Sequence, residues 1–332
     1  MTILVTGVAG FIGSYVAEAL LLQGKSVLGI DNLNDYYSVD LKNDRLSRLS
    51  DFGRFNFFQI DVADIDALWK AIGRKQITAI VHLAAQAGVR YSVVNPKVYA
   101  DTNLIGHANM LEVARNLKVD RMLYASSSSI YGNSKIIPYT EDSITDSPVS
   151  FYAATKKANE LMSHSYATLY QIPLVGLRFF TVYGPRGRPD MAYWLFTEAA
   201  LERRAISLFN GGDMVRDFTY ISDIVDGVTA ALNDPINQLK SRTPHQIFNL
   251  GNDQPVPLNH LVRAIEKNLG LHLKQEVVAM QPGDVEQTWA DITKARVELN
   301  YDPKVNLEEG MAKFCKWYTQ WANKSTPHFS QD

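Results

Sequence analysis

Short apolar runs alternate with amphipathic stretches along the first 180 residues, and this alternation restricts the possible folds more than any other feature of the sequence. The runs cover residues 2–6, 26–30, 56–60, 79–83, 121–125 and 173–180. The intervening stretches predict helices at about residues 12–23, 64–73, 98–117 and 150–170, with Asp64 and Ser150 as N-caps. Strands that alternate with crossover helices form parallel sheets. We therefore predict an α/β fold, a doubly wound parallel sheet of the Rossmann type.

After Phe180 this alternation gives way to loops that contain glycine and proline, such as residues 183–190 and 210–212. We expect residues 1–180 to form the Rossmann domain, which residues 217–250 rejoin because 246–250 have the pattern of a further strand. We expect a smaller mixed α/β substrate-binding lobe from residues 181–216 and 251–322, followed by a polar tail at 323–332.

Composition excludes several classes of function. The chain has 332 residues, 46% of them hydrophobic, which is enough for a sizeable core. Its 33 basic and 35 acidic side chains nearly cancel, so we expect neither a nucleic acid nor a membrane as partner. The single cysteine, Cys315, excludes an intrachain disulfide and argues against a zinc site, so we expect no metal and a cytoplasmic location. The first strand begins at Thr2, and no apolar run reaches the roughly 18 residues of a membrane helix.

A glycine-rich segment connects the first predicted strand to the first helix. Glycines at this junction let the backbone approach a pyrophosphate, which the helix N-terminus stabilises. Asp31 ends the second strand, 18 residues after Gly13, where its carboxylate suits the ribose of an adenosine. The same charge repels a 2′-phosphate and Asn32 supplies no cation, so NAD is predicted in preference to NADP. The predicted contacts of the loop are Gly7, Gly10, Phe11, Ile12 and Gly13.

The ends of the following strands extend this predicted site. Asp61 and Val62 follow the third strand and are placed to meet the adenine. Small residues follow the fourth strand, and Phe180 ends the sixth. Ligands of doubly wound sheets bind outside the carboxyl ends of the strands, so we predict all of these as cofactor contacts. The small residues are Leu83, Ala84 and Ala85.

Tyr152 and Lys156 occupy positions i and i+4 of a predicted helix, a spacing that puts both side chains on one face. A phenol with a pKa of about 10 becomes a usable base when a nearby positive charge stabilises the phenolate. We expect Lys156 to lower the pKa of Tyr152 in this way. Four serines, residues 126–129, follow the fifth strand and offer a hydroxyl to the reacting group.

These motifs occur in the order found in the extended short-chain dehydrogenase/reductase family, and the chain resembles its nucleotide-sugar epimerases over nearly its whole length. The resemblance implies NAD as cofactor. It also implies that Ser127 is the catalytic hydroxyl, that Tyr152 is the base, and that Lys156 lowers the pKa of Tyr152 and holds the nicotinamide ribose. The matching residues are Gly7, Gly10, Gly13, Asp31, Asn32, Leu83, Ala84, Ala85, Ser127, Tyr152, Lys156 and the run 178–185.

Residues 31–37, 85–92 and 184–191 further resemble UDP-glucuronate 4-epimerases. In that family the arginine that matches Arg188 meets the uronate carboxylate, a task that suits a bidentate guanidinium. Arg186 is the alternative partner. The resemblance also implies sugar contacts from Ser128 and Thr181, with contacts to the UDP moiety from Arg216, Phe209 and Asp284.

The resemblance predicts an isomerase that interconverts UDP-glucuronate and UDP-galacturonate through a 4-keto sugar, with the hydride returned to the opposite face. Relatives that dehydrate sugars or decarboxylate UDP-glucuronate carry an acid after the catalytic hydroxyl, where this chain has Ser128, Ser129 and Ile130. The alternatives are a 4-epimerase of neutral UDP-sugars, such as UDP-glucose, UDP-galactose or N-acetylhexosamines, and a non-catalytic NAD-binding protein. Relatives pair through two helices of each subunit, which here predicts a homodimer with a four-helix interface formed by about residues 98–117 and 150–170.

Overall fold

The computed structural model describes residues 1–234, 244–279 and 285–325. Its centre is a seven-stranded sheet in the order β10-β6-β5-β4-β1-β2-β3, and every neighbouring pair of strands in this sheet is parallel. The strands of this sheet are β1 (Thr2–Thr6), β2 (Ser26–Asp31), β3 (Phe55–Gln59), β4 (Ile77–His82), β5 (Arg121–Ser127), β6 (Leu174–Phe179) and β10 (His245–Leu250). The predicted α/β fold with a doubly wound parallel sheet is confirmed.

Helices connect the strands. Asp64 and Ser150 cap α3 and α7, and their side chains accept hydrogen bonds from the backbone N–H groups of Ala67 and Ala153. The helices of this part are α1 (Phe11–Leu22), α2 (Val39–Ser50), α3 (Ile65–Ile72), α4 (Tyr91–Val94), α5 (Pro96–Tyr99), α6 (Gly106–Leu117), α7 (Phe151–Tyr170) and α9 (Ile221–Asn233).

Helices α4 and α9 were not predicted, and two further features of these helices differ from the prediction. The stretch at 98–117 is not one α-helix, because a π-helical segment, Ala100–Ile105, joins α5 to α6. Asn159 of α7 donates a hydrogen bond to the carbonyl oxygen of Asn103 inside this segment (2.6 Å). Helix α2 was not predicted, since it is largely polar and buries only two apolar side chains, Leu41 and Leu49.

The remaining elements form a second layer beside the carboxyl ends of the main sheet. Strands β7, β9 and β11 make a three-stranded sheet, and β8 pairs with β12. The last helix extends to Ser325, so residues 323–325 of the predicted tail are helical; residues 326–332 lie outside the described residues. The elements are β7 (Thr181–Tyr183), β8 (Ile206–Phe209), β9 (Val215–Tyr220), β11 (Pro255–Pro257), β12 (Gln275–Val278), α8 (Ala192–Leu201), α10 (Leu258–Leu269), α11 (Thr293–Leu299) and α12 (Leu307–Ser325).

One buried cluster joins the two parts of the molecule. It includes Val5 and Val81 of the main sheet together with Tyr193, Leu261 and Phe314 of helices α8, α10 and α12. A shared core of this kind holds the second layer against the strand ends. Within the described ranges, no helix is long and apolar enough to cross a membrane, and no cluster of His, Cys, Asp or Glu side chains could hold a metal ion.

Candidate active site

One cavity of about 590 Å³ runs along the carboxyl ends of the strands, between the main sheet and the second layer. Its wall brings together residues that are far apart in the sequence. Of the predicted site residues, the cavity is lined by Gly7, Gly10, Phe11, Ile12, Gly13, Asp31, Asn32, Val62, Leu83, Ala84, Ala85, Ser127, Ser128, Tyr152, Lys156, Phe180, Thr181, Arg188, Phe209 and Arg216.

The three glycines of the first loop are each required by close backbone packing. Gly7 has a φ of +70°, and a Cβ there would lie 2.7 Å from the backbone nitrogen of Ala84. A Cβ on Gly13 would lie 2.0 Å from the carbonyl oxygen of Gly7, and one on Gly10 would lie 2.8 Å from the same oxygen. The loop therefore leaves bare backbone at the N-terminus of α1, which is the arrangement that binds a pyrophosphate.

Asp31 lies at the end of β2 with its carboxylate fixed by the backbone. Its Oδ2 accepts from the N–H of Ala9 (3.1 Å) and its Oδ1 from that of Leu33 (2.9 Å). Burial raises the pKa of Asp31, while these two hydrogen bonds and the charge of Lys42 oppose the rise. Each carboxylate oxygen has a further lone pair for a ribose hydroxyl.

The adenosine end also contains a cation that the sequence analysis did not consider. Lys42 of α2 lines the cavity, but its Nζ is bound to the carbonyl oxygen (2.5 Å) and Oδ1 (2.8 Å) of Asn34. Asp61 does not itself line the cavity; its Oδ2 accepts a hydrogen bond from Nδ2 of Asn32 (2.9 Å). Of the pair predicted to meet adenine, only Val62 therefore faces the cavity.

The structure separates the roles of the serines at the end of β5. Ser126 donates to Oε1 of Glu160 (2.6 Å), and Glu160 in turn accepts two hydrogen bonds from Arg178, each 2.9 Å long. This buried ion pair ties β5 and β6 to α7, the helix that carries Tyr152. Ser127 instead lines the cavity, and its Oγ accepts from the hydroxyl of Ser129 (2.9 Å). Its own proton is therefore free to point to another acceptor.

Tyr152 and Lys156 lie together on α7, with the ammonium nitrogen 5.9 Å from the centre of the tyrosine ring. The expected direction of the pKa shift is wrong for this structure. Burial raises the pKa of Tyr152, and a hydrogen bond with Ser127 and the charge of Arg188 oppose that rise. Burial also lowers the pKa of Lys156 to about 8, and its ammonium donates to the carbonyl oxygen of Ala125 (2.9 Å). The groups that favour the phenolate are therefore Ser127 and Arg188.

The two candidate carboxylate partners occupy different places. Arg188 lines the cavity and makes a bidentate ion pair with Asp190, with Nε–Oδ1 and Nη2–Oδ2 distances of 3.0 and 2.5 Å. Arg186 points away from the cavity, where it pairs with Asp44 (2.6 Å) and lies over the ring of Trp317. Of the two arginines, only Arg188 therefore lies in the cavity wall, where a ligand carboxylate could reach it.

The far end of the cavity is formed by the second layer. Arg216 on β9 donates to the carbonyl oxygens of Val285 (2.8 Å) and Glu286 (3.2 Å). Arg90 lies over the ring of Phe209, with its guanidinium carbon 4.7 Å from the ring centre. An aromatic ring and two guanidinium groups suit a base and a diphosphate. Asp284 lies outside the described residues.

Sequence reasoning missed several residues of the cavity wall. Tyr36, Arg90 and Asp190 line the cavity and lie inside the three segments that resemble UDP-glucuronate 4-epimerases. The resemblance therefore covered these residues, but it did not assign a role to them individually. Lys42 was missed together with its helix, α2.

Two histidines with lowered pKa values predict how stability depends on pH. Burial lowers the pKa of His82 to about 3 and that of His245 to about 4. Below about pH 6.5 the unfolded chain therefore binds protons that the folded chain does not, and stability falls as the pH is lowered. We expect His82→Gln to reduce the slope of the unfolding free energy between pH 6 and 4.5 by roughly 1.4 kcal/mol per pH unit.

Denaturant titrations across this pH range measure that slope. The exposed His260, changed to Gln, is the matched control and should leave the slope unchanged. Asp217 changes the stability in the opposite direction as the pH falls, since burial raises its pKa to about 6. It is present in both wild type and variant, so its effect cancels in the difference between their slopes. Equal slopes in wild type and His82→Gln would contradict the prediction.

The parallel sheet, the glycine loop and the cavity at the strand ends define a nucleotide-binding enzyme of the doubly wound α/β class. A family model described as GDP-mannose 4,6 dehydratase matches residues 4–314. The chain belongs to the extended short-chain dehydrogenase/reductase family of nucleotide-sugar epimerases, as its motifs predicted.

Two relatives and one solved structure illustrate the similarity. UDP-glucuronate 4-epimerase of Thermodesulfobacterium geofontis is 44% identical over 315 residues, which span 95% of either chain. UDP-glucuronate 4-epimerase 4 of Arabidopsis thaliana is 45% identical over 332 residues, 97% of this chain and 76% of the relative. The crystal structure of UDP-glucuronic acid 4-epimerase from Bacillus cereus, in complex with UDP-glucuronic acid and NAD, is 34% identical, with a TM-score of 0.89 over 97% of this chain and 100% of that one.

Proposed function

We propose that the protein is an isomerase, an NAD-dependent 4-epimerase that interconverts UDP-glucuronate and UDP-galacturonate. The observation that carries the proposal is the shared cavity, in which Ser127 and Tyr152 lie near a guanidinium, that of Arg188. The relatives named as UDP-glucuronate 4-epimerases support the choice of substrate. We further propose the division predicted from the sequence, with cofactor binding by residues 1–180 and 217–250 and substrate binding by 181–216 and 251–322.

The residues of the cavity fit NAD. The glycine loop offers bare backbone for the pyrophosphate, and Asp31 offers carboxylate oxygens to the adenosine ribose. Lys42, the lysine that lines the cavity near Asp31, is held by Asn34, so it does not provide a ready site for a 2′-phosphate. A bound NAD would supply hydride chemistry at C4 of the sugar, as acceptor and then as donor of the same hydride.

Tyr152 and Ser127 carry the proton chemistry. Tyr152 removes the proton of the 4-hydroxyl as C4 is oxidised, and it gives the proton back when the ketone is reduced. Ser127 hydrogen-bonds the reacting oxygen and stabilises the phenolate. Lys156 is held in the cavity wall by its hydrogen bond to the carbonyl oxygen of Ala125, and we assign it to the nicotinamide ribose. Inversion follows when the 4-keto sugar presents its other face before reduction.

The uronate carboxylate needs its own partner, because the 4-keto sugar is a β-keto acid and loses carbon dioxide readily. We assign this partner as Arg188; Ser128 and Thr181 line the same cavity and are assigned as further sugar contacts. A guanidinium that holds the carboxylate restricts the rotation that aligns the breaking C–C bond with the ketone. Asp190 does not supply an acid for dehydration, since its ion pair with Arg188 lowers its pKa against the effect of burial.

Product analysis tests the proposed function. The purified protein incubated with UDP-glucuronate should yield UDP-galacturonate, with little UDP-pentose or free keto sugar. Accumulation of UDP-pentose would identify a decarboxylase, and absence of turnover with NAD bound would identify a non-catalytic protein. A preference for UDP-glucose over UDP-glucuronate in competition would identify a neutral-sugar epimerase.

We propose a homodimer formed by the π-helix, α6 and α7, and a cytoplasmic location. Several large apolar side chains on these segments are solvent-exposed in the single chain: Ile105 at 51%, Leu161 at 60% and Leu169 at 68%. Exposed apolar side chains on two adjacent helices are typical of a self-association surface. The single cysteine, Cys315, is buried, which suits a reducing compartment.

Disruption of this surface should produce monomers. Leu161→Arg places a charge in the proposed interface, and we expect sedimentation to show a species of 37.2 kDa in place of the dimer. Val297→Arg, an 80% exposed position on α11, is the control and should remain dimeric. A wild-type protein that sediments as a monomer at micromolar concentration would contradict the proposal.

A further inference from the structure

Three segments of the chain meet at one point of the cavity wall. Tyr36 follows β2, Gly88 follows β4 and Asp190 follows β7. The hydroxyl of Tyr36 donates to Oδ2 of Asp190 (3.1 Å). Gly88 has a φ of +98°, and a Cβ there would lie 2.5 Å from the Tyr36 hydroxyl and 3.4 Å from Oδ2 of Asp190. The contact between the cofactor side and the substrate loop therefore depends on a position that only glycine can occupy.

Asp190 binds one specific edge of Arg188. It accepts from Nε and Nη2, which form the side-on edge of the guanidinium. Arginine has five N–H donors, so the end-on edge, formed by Nη1 and Nη2, can engage a second carboxylate. The charges of both residues act on the pKa of Tyr152, which places the ion pair beside the proposed base.

The backbone around Arg188 is fixed independently of this ion pair. Arg45, which is fully buried, donates to the carbonyl oxygens of Arg186 (2.7 Å) and Gly187 (2.7 Å). The N–H of Arg188 donates to the hydroxyl of Tyr193 (3.0 Å). Because these bonds fix the backbone at Arg188, the orientation of its guanidinium depends on Asp190. The carboxylate of Asp190 in turn accepts the hydrogen bond of Tyr36.

We propose that Asp190 and Tyr36 are positioning residues that aim the end-on edge of Arg188 at the carboxylate of a UDP-uronate and so set the preference for uronates over neutral sugars. The inference rests on the proposed function. Burial and the charge of Asp190 raise the pKa of Tyr36 to about 12, which keeps its hydroxyl protonated as a donor. The network is therefore intact at physiological pH.

Binding measurements on the NAD-loaded protein test this proposal. Titrations with UDP-glucuronate, UDP-glucose and UDP give the preference as a ratio of dissociation constants. We expect Asp190→Asn to reduce the preference for UDP-glucuronate over UDP-glucose about tenfold and Tyr36→Phe about threefold. Affinity for UDP should change less than about twofold. The matched controls are Glu309→Gln, from an exposed ion pair on α12, and Tyr170→Phe, an exposed tyrosine of α7; both should keep the wild-type ratio.

The outcomes separate this inference from the proposed function. A wild-type protein without a preference for UDP-glucuronate overturns the function. A wild-type preference that both variants retain overturns the positioning role alone. A gain in preference with Asp190→Asn would show that Asp190 competes with the ligand carboxylate. A loss of affinity for UDP as large as that for UDP-glucuronate would show a merely structural role. Either result also overturns the positioning role. Tyr36→Phe removes a single oxygen atom, so it still tests the positioning role if Asp190→Asn does not fold.

Discussion

Replacement of Tyr152 by Phe should lower the rate of interconversion at least 1,000-fold, within the range of about 10²–10⁴ that general base catalysis contributes. The change removes only the phenolic oxygen. The ring contact with Tyr99, at 6.1 Å between ring centres, does not depend on that oxygen, so the cavity should keep its shape. Bound NAD and the affinity for UDP-glucuronate should therefore stay within a few-fold of wild type.

Tyr170→Phe is the matched control for this loss, because Tyr170 lies at the end of the same helix and is 43% exposed. We expect it to turn over at the wild-type rate. Activity would be followed by chromatography of the UDP-uronates, and NAD by its release from the denatured protein. Undiminished turnover in Tyr152→Phe would rule out this residue as the base.

Arg188→Ala should weaken the binding of UDP-glucuronate roughly 100-fold or more, since truncating one partner of a charge pair that the bound ligand buries costs about 3 kcal/mol. Two effects contribute. The uronate loses its guanidinium, and Asp190 is left as an uncompensated negative charge beside the incoming carboxylate. Binding of UDP should be nearly unchanged, because Arg216 and Phe209 form the other end of the cavity.

Arg188→Lys separates charge from geometry. It keeps a positive charge but cannot make the bidentate contact, so we expect an affinity between those of wild type and Arg188→Ala. Arg204→Ala, at an exposed ion pair with Glu202, is the control and should bind normally. If Arg188→Ala retained wild-type affinity and turnover with UDP-glucuronate, the assignment of Arg188 to the carboxylate would be wrong.

The sequence predicts the main sheet well because its signals are local. Each strand of residues 1–180 is a short apolar run, and Asp64 and Ser150 mark helix starts with side chains that cap only their own helix. Helix α2 gave no such signal. It buries Arg45, whose partners Arg186 and Gly187 are close only in the folded chain, and Lys42, which Asn34 binds.

In the candidate site, too, the sequence predicts local features but not those that depend on distant residues. Tyr152, Lys156 and Ser127 could be predicted because each occupies a fixed position relative to a strand or helix. The pKa of Tyr152 could not, since it depends on burial and on Arg188, which lies 36 residues further along the chain. Similarly, the sequence left Arg186 and Arg188 as alternatives, and only the positions of Asp44 and Asp190 distinguish them.

The central claim is that Tyr152 moves a proton while the hydrogen on C4 leaves and returns without reaching water. Epimerisation of UDP-glucuronate in deuterium oxide tests this directly, with NMR to distinguish C4 from C5, whose hydrogen is acidic in a 4-keto uronate. The account predicts UDP-galacturonate with ordinary hydrogen at C4. Deuterium from the solvent at C4 would contradict it.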